Sequence, residues 1–284
     1  MLRMEDIDSP RIKPWTAGEA IDTLQWLGLD WDAGPDDSNQ PIPLTQSRRL
    51  ARYHEVFESL VDAGVVYRCY CTRSEIQRAA SAPHEQANVL EGTRYPGTCR
   101  DLTDTGRREK HAWRWRLSDE SMSWRDNLLG PQHANPLEQL GDFVIAKQDM
   151  TPAYQLAVVI DDHDFGVTEI VRGDDLIYST YRQRAILNHL GWQVPSYYHV
   201  PLMVGTDGLR LAKRHGDTRV SALRKMGVTA RAIVGYLAWT AGLLSEPTPC
   251  CARDLVDEFT WQAHDGPTVV DHEQVVALLK RHSK

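Results

Sequence analysis

The chain has 284 residues, enough for one large domain or two, and its 42% hydrophobic and 25% charged content is ordinary for a globular protein. A formal charge of −7 does not by itself favour a nucleic-acid partner, and no apolar stretch is long enough to span a bilayer. Arg3, Glu5, Asp6 and Asp8 follow close on Met1, so there is no signal-peptide pattern and the cytoplasm is the expected compartment; five cysteines, an odd number, argue against a disulfide framework.

Leu2–Met4 reads as the end of a strand, followed by an acidic loop to Pro14. Thr16 with Glu19 gives a capping-box signal, and Ala17–Leu27 has apolar positions at helical spacing, stopped by Gly28. A Pro-rich loop over Gly34–Pro43 precedes a helix over Arg48–Ala63 ending at Gly64, then a strand over Val65–Tyr70. Cys71 to Tyr95 reads as a short helix and a loop, and Trp113–Leu117 and Phe143–Lys147 as strands. Tyr154–Ile160, with its continuous apolar run from Leu156, reads as a buried parallel strand before an acidic turn. In open α/β sheets ligands collect just beyond the carboxyl ends of such strands. Val167–Val171 is a further strand, and Ser179 or Thr180 caps a helix that runs to His189 and stops at Gly191. Val220–Met226, Ala230–Leu243, Ala252–Glu258 and Glu273–Arg281 are helical patterns. Strands alternating with helices, then helices alone, predict an α/β domain with a helical appendage.

Several side chains stand out against that frame. Arg172, set at a strand end between Val171 and Gly173, needs an anionic partner if buried, since an unpaired guanidinium out of water is very costly. Glu5, Asp6 and Asp8 read as loop acids, and Tyr154 as a strand aromatic. The run Asp161–Asp164 suggests a metal site, but consecutive side chains on a turn point apart, so turn-capping is the expected role. Cys69, Cys71 and Cys99 with Tyr95 are either buried thiols or a tetrahedral zinc set, for which thiolates are the best ligands. Basic residues cluster over 209–225 and 100–116, each readable as a solvated face.

Taken together, the opening Leu2–Asp8, Tyr154, the segment Leu156–Leu176 and Gly208–Arg214 resemble the catalytic core of class I aminoacyl-tRNA synthetases of the glutamyl branch. Among these the chain most resembles the glutamyl-Q tRNA(Asp) synthetases, truncated paralogues of glutamyl-tRNA synthetase, over essentially its whole length. The resemblance implies a Rossmann-like catalytic domain over 1–66 and 141–205, a zinc-bearing insertion over 67–140, and a KMSKS-like loop with a C-terminal helical segment over 206–284. It implies that Glu5 binds the substrate α-ammonium, that Tyr154 contacts the bound L-glutamate, and that Arg172 holds its side-chain carboxylate. It places Arg210, Leu211, Ala212, Lys213 and Arg214 in the KMSKS position, departing from that motif at its first Lys and both Ser but keeping Lys213 for the ATP phosphates. One structural Zn²⁺ on Cys69, Cys71, Tyr95 and Cys99, ATP with Mg²⁺, and a queuosine-bearing tRNA(Asp) running over both basic clusters complete what it implies, with a monomer and no membrane expected.

The HIGH-type signature of such enzymes is missing. His189-Leu190-Gly191-Trp192 resembles it only superficially, at the end of a late helix. A strand, helix and connection of roughly 30 residues or more are therefore expected upstream, and Met1 reads as an internal methionine rather than the start of a degenerate enzyme, because Glu5, Tyr154, Arg172 and Lys213 are retained. The chain as written is expected to bind ATP poorly. Two rival readings are a discriminating glutamyl-tRNA synthetase fragment, against which length argues, and an inactive tRNA- or zinc-binding remnant.

Overall fold

A computed structural model describes residues 1–7, 13, 15–35, 37, 40–80, 93–102, 111–211, 216, 219–257, 259–261 and 266–283. In chain order its elements begin with α1 (Thr16–Trp26), α2 (Leu50–Asp62), β1 (Val66–Cys69) and α3 (Arg73–Ala80). There follow β2 (Ala112–Trp115), β3 (Met122–Asp126), β4 (Gly130–Ala134), α4 (Pro136–Gln139), β5 (Val144–Ala146), α5 (Tyr154–Asp164), β6 (Glu169–Gly173) and α6 (Ile177–Leu190). The remainder is β7 (Ser196–Val200), β8 (Met203–Gly205), α7 (Val220–Lys225), α8 (Ala230–Thr240), β9 (Thr268–Val270) and α9 (His272–Arg281). The chain divides into two units, one of Met1–Met4, Asp8–Asp37 and Val200–Lys284, the other of Glu5–Ile7 and Ser38–His199. Residues 67–140 lie wholly inside the second.

That second unit is built on an antiparallel sheet of order β1-β2-β5, covered by helices. α2 presents Tyr53, Val56, Phe57 and Leu60, a spacing that lines one face of a helix, to the core. Removing each such side chain from water contributes about 1.5–3 kcal/mol. Val66, Trp115 and Ile145 of the sheet, Phe143 just before β5, and Ile186 and Leu187 of α6 close the same core. Gly191 ends α6 in the left-handed conformation (φ 65°), where a glycine pays no Cβ penalty. β3 and β4 form a hairpin whose connecting amides, Leu128 and Leu129, donate to Asp126 Oδ1 at 2.9 and 2.8 Å.

In the first unit, Leu223, Val228, Ile233, Tyr236 and Leu279 form a smaller helical core, with Trp26 and Leu27 packed against it. Thr229 and Asp271 cap α8 and α9 through their side chains. β8 and β9 pair in parallel.

The apolar run read as a buried parallel strand is instead the helix α5. Every residue from Leu156 to Asp162 is buried, so the run lacks the polar face that marks an amphipathic helix, and its Val158, Val159 and Ile160 favour a strand reading. Thr16 does not cap α1: its hydroxyl donates to Lys13 O (2.8 Å) and Trp15 holds the cap position without a side-chain bond. α6 starts at Ile177, ahead of Ser179 and Thr180, whose buried hydroxyls serve other side chains. Met4 makes an isolated bridge, not a strand, and the pattern over Ala252–Glu258 yields only a 3-10 turn at Ala252–Leu255. Sequence reading did not find the hairpin β3–β4, nor β7, β8 and β9.

Candidate active site and metal centre

Arg172 lies in β6, one residue before the strand ends. Hydrogen bonds to His199, Gln183, Thr180 and Leu176 help fix its guanidinium. Nε donates to His199 Nε2 (3.1 Å), Nη1 to Gln183 Oε1 (2.9 Å), and Nη2 to Thr180 Oγ1 (2.6 Å) and Leu176 O (3.4 Å). The Tyr197 ring lies beneath it, 5.5 Å from the guanidinium carbon to the ring centroid. Thr180 and Gln183 are three apart on α6, hence neighbours on one helical face, and Tyr197 and His199 are two apart on β7, hence on one side of the strand. Two elements thus converge on a cation carried by a third.

Gln183 extends the network by donating from Nε2 to Gln155 Oε1 (3.0 Å), and Gln155 donates to Ser179 Oγ (2.9 Å). This ties the start of α5 to Arg172. Tyr154, the first residue of α5, is 41% exposed, so it is no core aromatic. Glu5 is also exposed. Its neighbour Asp6 accepts from Ser47 N (2.7 Å) and Oγ (2.6 Å), which anchors the segment.

Behind Arg172 sit two ionisable groups with no solvent exposure. His199 Nδ1 is 2.6 Å from Asp126 Oδ2, and the His199 amide donates to the same carboxylate. Burial disfavours ionisation of Asp126, but bonds from the Leu129 amide, the His199 ring and the Leu128 amide outweigh it and hold the carboxyl below its ordinary range. Burial pushes the His199 imidazole down, against the pull of Asp126 and with the push of the Arg172 charge. His199 is therefore neutral near pH 7, with Nδ1–H donated to Asp126 and the Nε2 lone pair turned to Arg172.

The acidic run closing α5 does structural work. Asp161, fully buried, accepts from Arg49 Nε (2.7 Å), Gln46 Nε2 (2.8 Å) and Tyr53 Oη (2.8 Å). Asp164 accepts from Arg49 Nη2 and Arg52 Nε at 2.7 and 3.0 Å.

Cys69, Cys71, Cys99 and Tyr95 do come together. The three sulfurs lie within 4.8 Å of one another, with Cys71 Sγ 3.5 Å from Cys99 Sγ. Tyr95 Oη is 3.4 Å from Cys69 Sγ and 3.9 Å from Cys71 Sγ, and accepts from the Cys99 amide (2.8 Å). Burial raises the Cys71 thiol to about 12, whereas Cys99 is lowered, a backbone hydrogen bond with Tyr70 and the bonds to its neighbours overcoming its burial. The Arg114 guanidinium covers the Tyr95 ring at 3.8 Å. Gly141 (φ 67°) lies so close that a Cβ there would meet Tyr95 O at 2.5 Å. Such a group of thiols and a phenol can hold one metal ion.

Of the KMSKS-like stretch, Arg210 bridges Val204 and the Leu211 amide donates to Met203 O (3.4 Å), after a tight turn in which Gly205 N donates to Leu209 O (2.8 Å). Ala212, Lys213 and Arg214 lie outside the described residues, as does Asp8. Sequence reading missed Asp126, His199, Thr180 and Gln183. Asp126 followed by Gly130 is a hairpin signal, but its partner stands 73 positions away.

The mixed α/β scaffold carries a fixed arginine at a strand end. Residues 1–266 match the family model described as tRNA synthetases class I (E and Q), catalytic domain, and the chain belongs to that family. It is 44% identical over 291 residues to the glutamyl-Q tRNA(Asp) synthetase of Rhodopirellula baltica, an alignment covering 95% of this chain and 86% of that one. It is 46% identical over 262 residues to the protein of the same name from Nitratidesulfovibrio vulgaris, covering 90% and 80%. In fold it is similar to the crystal structure of a glutamate tRNA ligase from Elizabethkingia meningosepticum, with a TM-score of 0.79 at 20% identity. That match covers 99% of this chain and 62% of the ligase, so the chain spans about three fifths of the ligase's length.

Proposed function

We propose that the protein activates L-glutamate with ATP, without tRNA, and transfers it to queuosine at the wobble position of tRNA(Asp). The observation that carries this reading is the fixed guanidinium of Arg172 beside the start of α5, in a chain 44–46% identical to proteins named glutamyl-Q tRNA(Asp) synthetase. A guanidinium matches the glutamate side-chain carboxylate through a charge-assisted bond that the neutral amide of glutamine cannot supply. Glu5 pairs with the α-ammonium, and Tyr154, partly exposed at the start of α5, closes the side-chain end. The α-carboxylate then attacks the α-phosphate of ATP, giving the glutamyl adenylate and releasing pyrophosphate. Mg²⁺ accompanies ATP, and Lys213 with Arg210 offsets the charge that builds on the phosphates. In the second step the glutamyl group passes to queuosine and AMP leaves. The Rossmann-like assignment of 1–66 and 141–205, the cytoplasmic location and the monomeric state belong to the same reading.

We infer further that the thiol cluster is a structural zinc site. Tetrahedral zinc with thiolate bonds of about 2.3 Å and a phenolate bond of about 2.0 Å sets ligand-to-ligand edges of roughly 3.5–3.8 Å. The observed separations of 3.4, 3.5 and 3.9 Å fit that cage. With four protein ligands the ion supplies no open position, so its contribution is to hold the 67–140 segment together.

Charging radiolabelled glutamate onto purified tRNAs tests the acceptor. Label on queuosine-containing tRNA(Asp), and none on tRNA(Asp) lacking queuosine or on tRNA(Glu), is the expected result. Label on tRNA(Glu) would replace this reading with an ordinary glutamyl-tRNA synthetase, and no label on any tRNA would favour an inactive remnant.

A further inference from the structure

The side of Arg172 that faces the protein is held by a chain of buried groups: Asp126, then His199, then Arg172. Its polarity is set at its far end. Asp126 Oδ2, in a site closed to solvent, accepts the His199 Nδ1 proton at 2.6 Å, which leaves Nε2 with a lone pair only. Nε2 then accepts from Arg172 Nε at 3.1 Å and lies 3.3 Å from Thr180 Oγ1, itself an acceptor for Arg172 Nη2. The opposite tautomer would point an N–H at an N–H. Leu128, Leu129 and His199 amides hold Asp126 from the other side, so it cannot turn away.

We propose that Asp126 and His199 are positioning residues for glutamate recognition: Asp126 selects the His199 tautomer, and that tautomer fixes the rotation and direction of the Arg172 guanidinium. This rests on the reading of Arg172 as the carboxylate-binding group. Neither residue touches substrate. Nε, Nη1 and Nη2 all donate within the protein, so a carboxylate must displace the long bond to Leu176 O (3.4 Å) to reach the guanidinium, and the fixed Nε edge sets the plane in which it can do so. Without the relay Gln183, Thr180 and Leu176 still engage Nη1 and Nη2, but the Nε edge that sets the plane of the guanidinium is released.

Asp126→Asn isolates the effect. The asparagine keeps Oδ1 for the Leu128 and Leu129 amides, so the hairpin turn persists, while its amide nitrogen drives the His199 proton from Nδ1 to Nε2. The expected result is a rise in the KM for L-glutamate of about tenfold or more, with the KM for ATP within twofold, and weaker discrimination against L-glutamine. Imidazole ¹⁵N NMR supplies a readout independent of turnover: His199 is the Nδ1–H tautomer in the parent and changes tautomer in Asp126→Asn. Arg172→Ala, measured alongside, separates the two ideas. If Arg172→Ala abolishes glutamate dependence while Asp126→Asn leaves the glutamate KM unchanged, the relay is wrong and the site stands. If Arg172→Ala has no effect, the carboxylate site itself is wrong. An Nε2–H tautomer in the parent protein overturns the relay whatever the kinetics.

Discussion

Asp161 Oδ1 lies 2.7 Å from Arg49 Nε, and both side chains are closed to solvent. The pair joins the last turn of α5 to the residue that opens α2, with Gln46 and Tyr53 supplying further bonds to the same carboxylate. Such a pair offsets its own desolvation only while complete. Asp161→Ala should therefore destabilise the second unit by about 3 kcal/mol, because Arg49 Nε, Gln46 Nε2 and Tyr53 Oη would lose their shared buried acceptor while Arg49 Nη2 keeps Asp164. Urea denaturation measures it. A loss below about 1 kcal/mol would mean that Asp164 alone is enough to hold Arg49 in place.

One zinc per chain is expected by elemental analysis of protein purified without chelator. Cys99→Ser should lower the metal content and the melting temperature together, since folding free energy includes metal binding in a closed site. Gly141→Ala should do the same from outside the ligand set, by pressing a Cβ on the Tyr95 backbone and straining a residue at φ 67°. Metal-free protein with all four side chains intact and reduced would remove the site.

The pH dependence of stability follows from the relay. His199 is depressed below its ordinary value of about 6.5, so below that pH the unfolded chain takes up a proton that the folded one refuses, and stability falls. Asp126 and Asp164 are also depressed: burial opposes this, but the bonds to His199 and backbone amides, or to Arg52 and Arg49, prevail. Their contribution is present above about pH 4 and is lost as pH falls through the lowered values. The melting temperature should thus decline between pH 6.5 and 5.5, and more gently in His199→Gln. A parent protein whose melting temperature is unchanged across that interval would contradict the assignment.

Much of the site was legible because it is built from local signals. Arg172 stood out at a strand end, and a strand is there. The Cys-x-Cys and Tyr-x-x-x-Cys spacings named a cluster that the fold assembles. Tyr154 was assigned to the wrong element: Leu156–Asp162 of α5 are buried all round and carry no periodicity to separate helix from strand. What stayed hidden was pairing at long range. Asp126 and His199 are unremarkable in sequence, and only the hairpin β3–β4 set against β7 makes them partners. Thr180 looked like a helix cap because caps and buried hydrogen-bonding threonines share one residue type.

On the proposed function, Arg172 selects glutamate. Glutamate-dependent ATP–pyrophosphate exchange without tRNA, compared between the parent and Arg172→Ala, tests it most directly. Losing one partner of a charge pair costs about 2–5 kcal/mol, so the variant should lose roughly 30-fold or more in kcat/KM for L-glutamate, with the KM for ATP little changed. Exchange by Arg172→Ala within twofold of the parent would contradict the account.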